Sequence, residues 1–298
     1  MKRKLPEIGE FVGQPGVKRV GRELLLKPDG IEKYVLAGWS PEQPFITKED
    51  RITVFGSCFG RVVKILLKGK GYKMTPTDEA EEKLPLVENG FRFVSAALIR
   101  QHFEWAWAGG DMVWDRWVNT AGTGVPPEEL RQGTKKAFDA TKVFMLTYGL
   151  SEVWRNKDGT KIRFGPIETK HFDPEVEEFH ISSFQETKTD IQKTVDLIHS
   201  NCPDATIIVS LSPIPIQTTF RKISSITANS ASKAILRAAI DEVMRENEND
   251  EKLWYFPSYE IIYDMPLPDK WAEDGWHPRR EYTNEVVGHF AKCFLKDF

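Results

Sequence analysis

Cysteine is scarce in this chain: Cys58, Cys202 and Cys293 are the only three in 298 residues. They are too few and too widely spaced for a disulfide framework or a zinc site, so free thiols are expected. Long apolar runs are missing as well. No segment approaches the ~18 consecutive apolar residues of a membrane span. The opening MKRKLPEIGEFVG carries charge without a signal-peptide apolar stretch. A soluble, cytoplasmic protein without a membrane partner is expected. Charge of one sign does not accumulate either. The 41 basic and 44 acidic residues leave a formal charge of -3, and neither sign forms a block of five, which argues against a nucleic-acid partner. Internal repeats and low-complexity segments are absent.

What is present is a regular alternation. With 40% of its residues hydrophobic, the chain can bury one large core. Residues 1–50, rich in Pro, Gly and charge, read as an arm packed on that core, and residues 51–298 as a single domain. RITVFG (51–56) is a short apolar strand candidate, and Val62, Val63, Leu66 and Leu67 follow at helical spacing until Gly69 and Gly71. The unit recurs. PPEELRQGTKKAFDATK leads into VFMLTYG (143–149), and QETKTDIQKTVDLIHSNCP into ATIIVSLS (205–212). Ile235, Leu236, Ala239, Ile240, Val243 and Met244 then mark a helix face, before a strand about KLWYFPS and a closing helix through Val286, Val287 and Phe290. Such alternation predicts an α/β fold with a mostly parallel sheet covered on both faces. Two stretches break the rhythm and read as insertions around the site. One is about 75–125, with the Trp-rich FEWAWAGGDMVWDRW; the other is 152–186, where VWRNKDGTKIRF predicts a hairpin turning at Asp158-Gly159.

Open α/β sheets place their sites beyond the carboxyl ends of the strands. Those segments are GSCF, GLSEVW, SPIPIQTTF and the loop before the last helix. Ser57, at a strand-to-helix turn, is either a helix cap or a nucleophile whose developing oxyanion would meet helix N–H groups. Asp274 and His277, three apart in AEDGWHPRREY, are either an ordinary surface turn or the acid and base that a hydroxyl nucleophile requires. Cys58 is a rival nucleophile in principle but is expected to be a small buried residue. Asn229, Ser232 and Lys233, in ITANSASKAILRAA, are either substrate contacts at a helix start or a cap and a solvated lysine. Glu152, Trp154 and Trp276 border the same edge as candidate substrate contacts, with Trp154 also a candidate for the core. His171 and His180 lie among carboxylates at a spacing that matches no helical metal pair, so no metal is assigned, and no cofactor is implied.

FGSCFGRVV resembles the signature of the GSCFA family, within the wider SGNH or GDSL hydrolases. SPIPIQTTF, ANSASKAILRAA, YFPSYEII and AEDGWHP resemble that family's later segments in the expected order. The likeness covers about residues 51–290. It implies a three-layer α/β/α sandwich and acyl-ester chemistry in which Ser57 is the nucleophile, His277 the base and Asp274 the orienting acid. The wider group has Gly-x-Asn-Asp where this chain has GLSE, so Ser151 stands where an oxyanion-binding Asn is usual. Ser57 N–H with Gly149 or Ser151 is the expected oxyanion hole, and Gly90 in ENGFRF a further donor. The expected activity is hydrolysis of a small-molecule or saccharide ester. Transfer of the acyl group to a saccharide or other hydroxyl is the alternative, and a non-catalytic binding protein on the same scaffold is a third reading.

Overall fold

The apolar runs RITVFG, VFMLTY and TIIVSL have no side suited to water, and the fold buries both faces of each. The computed structural model describes residues 1–77, 84, 94–109, 127–163 and 172–298. The arm comes first, as a hairpin of β1 (Gly9–Phe11) and β2 (Gln14–Gly16) and two short helices, α1 (Arg22–Leu25) and α2 (Gly30–Tyr34). Then follow β3 (Arg51–Gly56), α3 (Cys58–Gly69), β4 (Lys73–Met74), α4 (Ala96–Ala108), α5 (Pro127–Asp139) and β5 (Val143–Tyr148). Strands β6 (Glu152–Asn156), β7 (Ile162–Arg163) and β8 (Glu177–Ile181) precede α6 (Phe184–Asn201) and β9 (Thr206–Leu211). The chain closes with α7 (Ser225–Glu246), β10 (Leu253–Tyr255), α8 (Ser258–Tyr263) and α9 (Arg280–Phe294).

The central sheet has the order β10-β9-β5-β3-β4 and is parallel throughout. Successive strand residues serve opposite faces, as a period of two requires. Phe55, Leu146 and Val209 join α4, α5, α6 and α7 in one core. Val54, Met145 and Ile208 join α3, α8, α9 and the arm's Ile31, Leu36 and Ile46 in the other. This is an α/β/α sandwich. In chain order the strands run 2-1-3-4-5, so the winding reverses between β3 and β5, where ligands of open α/β sheets bind.

Two packing facts place the segments before α3 and α9 at this crevice. Lys70, just past α3, lies over the Phe298 ring at 5.2 Å, just past α9, so the two helices have their C-termini together. Phe59 in the first turn of α3 shares a core with Val286 and Val287 of α9. The helices therefore run side by side in the same sense, and their N-termini share the carboxyl edge of the sheet. That edge holds Ser57, immediately before α3, and His277, three residues before α9.

The hairpin expected at Asp158-Gly159 is present. Gly159 takes φ 73° and donates to Asn156 O at 2.8 Å, and β6 pairs with both β7 and β8 in an antiparallel sheet. Residues 96–108, expected within an insertion, instead form a core helix. Ser95 caps it by accepting Leu98 N–H at 3.2 Å, and Ile99, Phe103 and Ala106 are fully buried. Helix α7 starts four residues before Asn229, because Ser224 accepts Ile226 N–H at 3.2 Å and caps it there. Cys58 is exposed rather than buried: as the first residue of α3 it projects away from the core that Phe59 enters. Gly90, His171 and much of 75–125 lie outside the described residues. Among the described residues, no helix is long and apolar enough to cross a membrane.

Candidate active site

The turn from β3 into α3 is set by Gly56, whose φ of 118° favours glycine. Ser57 follows in extended conformation and caps α3, its Oγ accepting Phe59 N–H at 3.2 Å. Capping uses a lone pair and leaves the hydroxyl proton free to be given away. The cap and the nucleophile are thus compatible in one residue. Among the described residues Ser57 N–H has no hydrogen-bond acceptor, so it remains available to a developing oxyanion at a helix N-terminus.

Residues 271–279 fold into a tight turn. Ala272 N–H donates to His277 O at 2.8 Å, Gly275 N–H to Ala272 O at 2.9 Å, and Gly275 has φ 74°. Asp274 closes it from within: Oδ1 accepts the N–H groups of His277 at 2.9 Å and Trp276 at 3.0 Å, and Oδ2 lies 2.6 Å from His277 Nδ1. The backbone N–H of His277, then that of Trp276 and the imidazole, hold the Asp274 carboxyl down at about 2. A carboxylate only accepts, so Nδ1 carries the proton and Nε2 is left as the basic nitrogen. The Trp276 ring packs on the imidazole, centroids 3.6 Å apart, and so braces His277. The His277 and Asp274 side chains remain 36% and 40% exposed, so water reaches them. His277 and Ser57 share the edge without a hydrogen bond between them.

The GLSE segment lies beyond β5, the strand paired with β3 through Gly56 and Thr147. Here the geometry corrects the expected donors. Gly149 N–H donates to Val94 O at 2.7 Å and has nothing left for an oxyanion. Ser151 N–H donates to Ser232 Oγ at 2.7 Å, and Ser151 Oγ donates to the same oxygen at a longer 3.2 Å. The hydroxyl can rotate, so it is the part of this segment that can be redirected.

Two expected substrate contacts are internal struts. Lys233 is 2% exposed, and its Nζ donates at 2.8 Å to the carbonyls of Gly149, Ser212 and Ile214. Burial lowers this amine to about 7, and all three donors of its ammonium form are engaged. Asn229 Oδ1 accepts Ile216 N–H at 3.1 Å and holds the loop after β9 against α7. Helical spacing carries a signal for both: residues 229, 232, 233, 236 and 240 follow i, i+3, i+4, i+7, i+11 and share the face of Leu236 and Ile240.

Glu152 and Trp154 do line a cavity, of about 140 Å³, with Leu98, Leu150, Phe179 and Phe220. Glu152 is buried, and both its oxygens accept from Thr219 Oγ1, at 3.0 and 2.8 Å. Trp154 packs edge-on to Phe220 at 5.0 Å and tilted to Phe179 at 5.5 Å.

With the strands and the turn in place, the class is that of α/β/α proteins with a Ser at the first strand end and an Asp-x-x-His turn before the last helix. The chain belongs to the GSCFA family, whose match spans residues 51–290. Among solved structures, the Clostridium thermocellum family 3 carbohydrate esterase is 12% identical, with a TM-score of 0.37 over 83% of this chain and 95% of its own. A carbohydrate esterase family 3 protein from Talaromyces cellulolyticus is 10% identical, with a TM-score of 0.37 over 81% and 94%. An acetyl xylan esterase from the rumen bacterium Butyrivibrio proteoclasticus is 13% identical, with a TM-score of 0.33 over 82% and 64%. No curated protein matches the chain.

Proposed function

We propose that this protein is a serine-dependent acyl-ester hydrolase in which Ser57, His277 and Asp274 form the reacting set. The observation that carries this reading is the 2.6 Å contact between Asp274 and His277 Nδ1, made in a turn at the edge where Ser57 keeps a transferable proton. Nε2 of His277 takes the Ser57 proton as Oγ bonds to the acyl carbon. The resulting oxyanion is met by Ser57 N–H and by a Ser151 hydroxyl turned away from Ser232. The imidazolium, stabilised by Asp274, gives its proton to the departing alkoxide, which leaves as the alcohol. Water then repeats the sequence on the acyl-serine, releasing the carboxylic acid and restoring Ser57. The exposure of His277 and Asp274 favours water as the acceptor over transfer to another hydroxyl.

The cavity beside Glu152 and Trp154 is the proposed seat for the rest of the ester. At about 140 Å³ it has room for one six-membered ring. Aromatic faces beside a carboxylate suit a ring that carries hydroxyl donors, as in a saccharide ester. The test is hydrolysis of acetylated saccharides and simple aryl acetates by wild type, Ser57→Ala and His277→Ala. Loss of about 10⁴-fold or more in kcat/KM in both variants, with folding intact, is expected. Turnover by the wild type that survives either substitution would contradict the assignment.

A further inference from the structure

The structure assigns Ser232 and Lys233 of α7 a positioning role, in which they lock residues 149–151 and so fix where the Ser151 main chain stands at the carboxyl edge of the sheet. This rests on the hydrolase reading for its meaning, but its geometry stands alone. The β5–β9 ladder ends at Tyr148 and Leu211, followed only by Ser212 N–H donating to Tyr148 O at 2.7 Å. Past this point the carbonyls of Gly149, Ser212 and Ile214 have no strand to bond, and they would be buried without donors. Lys233 supplies one donor to each from a single nitrogen, with no carboxylate among its contacts with the described residues.

Only an ammonium fits this arrangement. A guanidinium directs its donors in a planar fork rather than from one point, and an apolar side chain leaves all three carbonyls unmatched. Ser232, the preceding residue, reaches the other end of the segment by accepting Ser151 N–H. The Gly149–Leu150 peptide is consequently held on both sides, its oxygen by Lys233 and its N–H by Val94 O at 3.3 Å. Consecutive residues on the buried face of α7 thus hold the three residues 149–151. Lys233 has no donor left for a substrate, so its effect reaches the reaction only through residues 149–151.

The test compares Lys233→Met and Ser232→Ala with wild type by amide hydrogen exchange, by steady-state kinetics, and by the rate at which a fluorophosphonate modifies Ser57. Exchange at residues 147–154 is expected to quicken about tenfold or more in Lys233→Met, with distant strands unchanged. The kcat and the modification rate should fall together by about 10²-fold, the scale of one misplaced oxyanion donor, while KM moves less than threefold. That split separates positioning from a general loss of structure. Should Lys233→Met fail to fold, Ser232→Ala, which leaves the lysine cluster whole, is expected to show faster exchange at Ser151 and about tenfold lower kcat. A folded Lys233→Met with unchanged exchange at 147–154, or unchanged exchange at Ser151 in Ser232→Ala, overturns the proposal. A wild type that neither turns over esters nor takes the probe overturns the hydrolase reading instead, and the exchange result still decides the positioning role.

Discussion

Gly56→Ala probes the turn that presents Ser57. A side chain at φ 118° carries backbone strain of about 1–3 kcal/mol. The added Cβ would also stand 2.0 Å from Thr147 O and 2.6 Å from its carbonyl carbon. Both atoms are main chain of β5, so no flexible side chain can give way and the two central strands must part by about 1 Å or more. Overpacking of this kind costs about 1–3 kcal/mol. The expected total is about 4 kcal/mol, a large part of the ~5–15 kcal/mol that a domain has in all. Gly69→Ala is the matched control. It lies exposed at the end of α3 with nothing within 4 Å of its added Cβ, and alanine there should add up to about 1 kcal/mol. Urea unfolding followed by tryptophan fluorescence reads both. A Gly56→Ala protein within 1 kcal/mol of wild type would mean that neither the backbone strain at residue 56 nor the clash with β5 operates.

Asp274→Asn should lower kcat by about 10²–10⁴-fold. The amide oxygen can still accept the turn's N–H groups, but the NH₂ facing Nδ1 favours the tautomer with the proton on Nε2; wild-type kcat in the variant contradicts this. The native Asp274 carboxyl lies at about 2, below its ordinary 3.8, so it stabilises the fold above about pH 4 and loses that contribution as pH falls through 2. The stability gap between wild type and Asp274→Asn should therefore be constant above pH 4 and narrow below it in acid titrations. Cys58→Ser should keep kcat within threefold. Iodoacetamide should modify exposed Cys58 before Cys202 and Cys293, whose thiols burial pushes up to about 11 and about 12; mass spectrometry of the alkylated protein reads the order. Trp154→Ala should raise KM for ring-bearing esters several-fold more than for a simple alkyl acetate, and an equal effect on both would remove the cavity from the substrate's path.

The strands of the central sheet were legible because each is apolar on both faces, a pattern that suits a parallel sheet covered on both sides. Local chemistry singled out Ser57 and the Asp274–His277 turn, through strand, glycine, cap and helix at one end and a three-residue acid–base spacing at the other, but left each open to a plain cap or surface turn, and only the GSCFA resemblance implied their roles. What local pattern does not report is which polar atoms other elements have already engaged. Gly149 reads as available, but Val94 O holds its N–H; Lys233 reads as a substrate contact or a solvated lysine, but three carbonyls hold its amine. The periodicity of α7 did place Lys233 on the buried face, but a lysine there runs against the usual expectation. The two-residue β4 and the Ser95-capped α4 are set by packing on β3 and α6 rather than by any strong repeat of their own.

The most direct test of Ser57 as an activated nucleophile is to treat the protein with a fluorophosphonate and locate the adduct by mass spectrometry, with Ser57→Ala and His277→Ala alongside. One adduct is expected, on Ser57, absent from Ser57→Ala and formed far more slowly in His277→Ala. No adduct under conditions that modify a known serine hydrolase, or an adduct that persists in Ser57→Ala, would contradict it.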